Sequence, residues 1–198
     1  MTLNVLVLEN EPGLSTTAVD ELRDAGHTVL TCHRPGAAPF PCLGVEDPAL
    51  CPLRAHDVDV ALAVRFGGRA QPTLGEDGAR CALVHRIPLV VAGEQFFDPF
   101  DEFATRTIDT VYDVVDACEQ AAAAPVDEFA RAAVHALAPT AARGARVEVT
   151  RSGGRLVAHV SEVADLTPLE RSRAAVRVVG ALREADPFAA GIDVDVDS

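Results

Sequence analysis

The feature that most constrains this chain is a short unbroken apolar run, Asn4-Val-Leu-Val-Leu8, followed at once by a helical pattern and a second apolar run. Ser15 to Ala25 carries Ala18, Val19 and Leu22 on one helical stripe, with Ser15 placed to cap its start and Gly26 to end it. Thr28 to Thr31 reads as the next strand, Val58 to Val64 as a third and Ile87 to Ala92 as a fourth. A strand with no polar alternation needs cover on both faces, and the β-α-β spacing supplies helices to cover it. The expected fold of the first half is therefore α/β, a doubly wound parallel sheet, closed by a helix over residues 109–122.

Ala121-Ala-Ala-Ala-Pro125 reads as a boundary, giving units at 1–122 and 126–198. After it the order of elements becomes α-β-β-α-β, a smaller α+β domain. Val126, Phe129, Ala130, Val134 and Leu137 make one helical face. Arg146 to Thr150 and Arg155 to Val160 form a hairpin around Ser152-Gly-Gly154. Thr167-Pro168-Leu169-Glu170 is a capping box with proline at the first helical position. Ile192, Val194 and Val196 alternate with Asp193, Asp195 and Asp197 as a half-exposed last strand.

Charge narrows the partners. The chain of 198 residues carries 30 acidic against 17 basic side chains, a net of −13, and every basic one is arginine. Nucleic acid and anionic membrane surfaces are excluded as first expectations. The absence of lysine removes a Walker-type phosphate loop and a Schiff base from the possible chemistry. Residues 1–125 hold 19 acidic groups against 8 arginines, and the remainder 11 against 9. No stretch has the length of a membrane span and the N-terminus lacks signal-peptide character, so membrane insertion is not expected and a cytoplasmic location is.

Val5-Leu-Val-Leu-Glu9-Asn10-Glu11-Pro12 with Leu22-Arg-Asp-Ala-Gly-His-Thr-Val-Leu30 resembles the opening of a bacterial response-regulator receiver domain. The resemblance implies that Glu9 and Glu11 stand where that family holds a divalent ion, with Asn10 diluting the cluster. It also implies that Val64 occupies the phospho-acceptor position, that Gly93 replaces the hydroxyl residue, and that Asp98 replaces the lysine. A valine takes no phosphoryl group, so the resemblance points to a pseudo-receiver and implies a flavodoxin-like sheet. The second half is similar in its element order to the BON class of small bacterial domains, with Gly153 and Gly154 standing for that class's central glycine. That resemblance implies phospholipid binding or protein contact. Of these, a protein partner or self-association through the exposed last strand is the expectation here.

Five cysteines in a reducing compartment point to metal, redox or plain buried thiols rather than a disulfide framework. Cys32, Cys42 and Cys51 lie in a proline-rich loop, residues 32–57, where an ordinary β-α-β unit places a helix. Cys81 comes near the start of a later helix, whose dipole would favour its thiolate. Strand ends and helix starts share one edge of such a sheet, so these four thiols are expected to meet and to hold an iron–sulfur cluster, or alternatively zinc. The other readings are structural thiols without metal and a thiol–disulfide switch. Cys118 reads as core, and His33 and His56 as loop histidines able to replace a thiol ligand. Arg65-Phe-Gly67-Gly68-Arg69 reads as a possible anion site, with Glu76 nearby. The expected function is thus a non-catalytic regulatory or redox-sensing protein. The alternatives are a metal- or cluster-dependent enzyme using Arg65, Arg69 and Glu76 on a small anion, and a metal-free scaffold.

Overall fold

A computed structural model describes residues 2–34, 36–94, 97–123, 126–152, 155–163, 166–187 and 189–197. Gly153 and Gly154 of the expected hairpin and Pro125 of the expected boundary lie outside them. The chain divides into two compact units, Met1–Ala122 and Ala123–Ser198.

The first unit is α/β, built on a five-stranded parallel sheet in the order β2-β1-β3-β4-β5. Its strands are β1 (Asn4–Glu9), β2 (Thr28–Thr31), β3 (Val60–Val64), β4 (Leu89–Ala92) and β5 (Arg106–Ile108). Period two divides the buried side chains of β1 between two cores. Leu3, Val5 and Val7 pack with Ala18 and Leu22 of α1 (Thr16–Asp24) and with Val114, Ala117 and Cys118 of the closing helix. Leu6 and Leu8 pack on the opposite face with Cys32, Ala79 and Ala82. Both faces are dry, which is why the strand reads as a continuous apolar run.

Between β2 and β3 the proline-rich segment folds into single turns: α2 (Leu43–Glu46), a 3-10 turn at Pro48–Leu50, and α3 (Pro52–Ala55). Prolines at 48 and 52 open two of these turns, where a missing N–H costs nothing. After β3 a 3-10 turn at Leu74–Glu76 leads into α4 (Asp77–Val84), and another at Val111–Asp113 into α5 (Val114–Ala122).

The second unit has the order α6 (Asp127–Leu137), β6 (Arg146–Ser152), β7 (Arg155–Ser161), α7 (Pro168–Ala185) and β8 (Gly191–Val196). Its sheet is mixed, β6-β7 antiparallel and β7-β8 parallel. Phe129 and Leu137 of α6, Val178 and Leu182 of α7, and the inward residues of all three strands form one core. The Thr167 capping box forms as its spacing predicts, with Glu170 accepting from the Thr167 N–H at 2.9 Å. Among the described residues no helix is long and apolar enough to cross a membrane.

Candidate functional site

The carboxyl edge of the parallel sheet gathers most of the chemistry-bearing residues of the first unit. Glu9 ends β1, and its Oε2 accepts from the Ser15 N–H at 3.0 Å and the Ser15 hydroxyl at 2.7 Å. Ser15 does occupy the N-cap position of α1, but its backbone is helical (φ −82°, ψ −2°) rather than extended and its side chain makes no capping bond; the hydroxyl donates to Glu9. Glu11 faces Arg69 at 3.6 Å. Glu9 thus holds the strand–helix turn, and Glu11 makes an exposed ion pair with the segment after β3.

Arg65 follows Val64 directly and is almost fully buried. Its guanidinium pairs with Glu76, donates to the Arg69 carbonyl at 2.8 Å and stacks over the Phe100 ring at 5.5 Å. Glu76 completes the capping box with its other oxygen, accepting from the Thr73 N–H at 2.8 Å. Arg65 is therefore committed to the interior, and Arg69 is the solvent-facing arginine of the Arg65-Phe-Gly67-Gly68-Arg69 segment. Gly67 adopts φ +89°, while the addition of a Cβ at Gly68 would meet nothing within 4 Å. Beside this cluster, Asp98 accepts from the Phe100 N–H at 2.8 Å, and burial raises its carboxyl pKa against the opposing effects of that bond and of Arg65.

The cysteines come from four pieces of chain. Cys32 leaves β2, Cys42 and Cys51 precede the first residues of α2 and α3, and Cys81 sits in the second turn of α4. The Leu43 N–H donates to the Cys32 carbonyl at 2.8 Å, which returns the chain to the neighbourhood of β2 at Cys42. Two glycines permit close approach. A Cβ on Gly44 would lie 2.8 Å from the Cys51 Cβ, and one on Gly78 would lie 2.9 Å from the Cys32 sulfur.

Burial first, then the charges of Cys42, Cys51 and Cys81, push the Cys32 thiol up to about 12. Cys81 is raised in the same direction by burial, Cys51, Cys42 and Asp77, so the thiolate-favouring helix start expected for it is not what it finds. It lies past the first turn, where a helix N-terminus exerts its pull, and next to an acid. Among the described residues no three cysteine sulfurs lie within 4.8 Å of one another. A single zinc ion at about 2.3 Å from each sulfur would need edges of about 3.8 Å. The thiols are electrostatic neighbours without forming such a tetrahedron. Cys118 is fully buried in the other core, facing α1 and β1.

His33 lies beside Cys32, and its Nε2 is shielded from solvent without a hydrogen-bond partner among the described residues. His56 ends α3 and is exposed. In the second unit, the open face of the sheet brings His159, Asp195 and Asp197 together, with ring nitrogens 3.3 and 3.4 Å from the two carboxylates. The register pairs His159 with Asp195 across β7 and β8. That cluster follows from strand alternation alone, yet the sequence does not announce it because the two strands are separated by α7.

No protein-family model matches this chain, and no curated protein is similar enough to count as a relative. The functional reading rests on the residues themselves.

Proposed function

We propose that the first unit is a receiver-like, flavodoxin-like domain that cannot be phosphorylated and holds an iron–sulfur cluster through Cys32, Cys42, Cys51 and Cys81. The second, BON-like unit would make contact with a protein partner. The observation that carries the reading is the close approach of the cysteine-bearing pieces: the Leu43 N–H donates to the Cys32 carbonyl, Gly44 lies against Cys51, and Gly78 of α4 lies against the Cys32 sulfur. Among the described residues no three of these sulfurs lie within 4.8 Å of one another, which disfavours a single zinc ion, and the preference for a cluster rests on the wide sequence spacing of the cysteines in an irregular segment. The 2-1-3-4-5 strand order is that of flavodoxin-like folds, in which ligands gather at the carboxyl edge. Val64 at the end of β3 and a wholly lysine-free chain support the loss of phosphoryl chemistry.

As a sensor, the domain would convert occupancy of the thiols into order of the segment from Cys32 to Cys51. The raised thiol pKa values mean that loading must release protons, and a cation at the centre supplies the energy to do so. The test is the visible spectrum of protein purified without oxygen, with iron, sulfide and zinc counted per chain. A brown protein whose broad band bleaches in air and is lost in Cys42→Ser supports the cluster. A colourless protein with one zinc replaces the cluster by a structural ion. A metal-free protein with titratable thiols overturns the site.

A further inference from the structure

A cavity of about 590 Å³ opens at the carboxyl edge of the parallel sheet, on the α1 side of β1 and β2. Val7 and Val29 form its floor, and Val19 and Arg23 of α1 one wall. A further wall comes from His33, Arg34, Gly36, Ala37 and Pro39. The volume falls within the range of about 300–1,000 Å³ typical of small-molecule sites, and strand ends at such an edge are where ligands of doubly wound sheets bind.

The polar groups on this lining are unevenly satisfied. Arg23 has no ion pair among the described residues, and the buried His33 Nε2 has no partner among them. Arg34 shares its charge with Glu46 at 3.2 Å. Of the acids that line the cavity, Glu9 is held by Ser15, and Asp20 stands one helical turn before Arg23. An apolar floor beneath a guanidinium and a ring nitrogen suits a molecule with a flat apolar body and one anionic group.

The geometry points to this cavity as the binding site of a small organic anion with an apolar body, held by Arg23 and His33. Its sheet and α1 residues are independent of the thiols, whereas His33 and Ala37 lie in the segment that the proposed thiol site orders, so for those two residues the inference rests on that reading; titration of both metal-loaded and metal-free protein separates the two. A charge-assisted bond to Arg23 should favour an anion over its uncharged counterpart by about tenfold.

The probes are anilinonaphthalene sulfonate and phenylnaphthylamine, which share an apolar body and differ in the sulfonate. Fluorescence titration of the full chain should give saturable binding at one site, with the sulfonate about tenfold tighter. Arg23→Gln should bring the two dyes close to parity. Ala37→Trp, on an exposed stretch of the wall, should block both, and Val176→Ser on the exposed face of α7 should leave both unchanged. Circular dichroism checks that each variant is folded. Equal affinities in the unmodified chain overturn the anion assignment. Binding that survives Ala37→Trp, falls with Val176→Ser, or fails to saturate overturns the site.

Discussion

Arg65 and Glu76 meet inside the first unit with side chains 2% and 0% exposed, joining the end of β3 to the turn that starts α4. Breaking one member of such a pair leaves a buried charge without its counterpart, at a cost of about 3–5 kcal/mol. Glu76→Gln should therefore lower the urea midpoint sharply. The double variant Arg65→Met with Glu76→Leu should cost less than either single change. Additive losses would show that the pair is not coupled.

The thiols give stability a dependence on alkaline pH. Burial and the neighbouring Glu119 push Cys118 from an ordinary 9.0 to about 12. Below pH 9 the thiol is protonated in both folded and unfolded chains, and its contribution is complete. Between 9 and 12 the unfolded chain loses the proton first, so stability falls by about 1.4 kcal/mol per pH unit for such a thiol. Urea melts of metal-free protein across this window should show the fall, made shallower by Cys118→Ala.

Gly44 sits where a Cβ would collide with Cys51. Gly44→Ala should displace Cys51, lower the midpoint of the metal-free protein because the clash is with the Cys51 Cβ at 2.8 Å, and reduce the iron or zinc retained per folded chain. Retention equal to the unmodified chain would mean that Cys51 is not a ligand.

The two units have separate cores, so their unfolding should respond to separate substitutions. Thr167→Ala removes the hydroxyl of the α7 capping box, at a cost of about 1 kcal/mol. It should shift the transition of the second unit and leave that affected by Glu76→Gln in place. Calorimetry of the full chain reads both.

What could be read from the chain beforehand follows its strongest local patterns. β2 falls on Thr28–Thr31 as the apolar run indicates, and the α7 cap forms as its four-residue signature requires. β5 was not foreseen: Arg106-Thr-Ile108 is too short to show a period and exists by pairing with β4. The turns at 43–55 were hidden among prolines for a related reason, each being a single turn. Arg65 and Arg69 looked equivalent in sequence, and only the placement of Glu76 separates one as interior and the other as solvated. Ser15 has the residue type of a cap, but its helical backbone does not aim the hydroxyl at the first turn, and the hydroxyl donates to Glu9. The cavity has no sequence signature because its walls come from α1 and a segment that returns to β2.

The parallel sheet ends on short strands at both edges, four residues in β2 and three in β5. Such margins offer little backbone for another chain to align against, and fibrils grow by that kind of alignment.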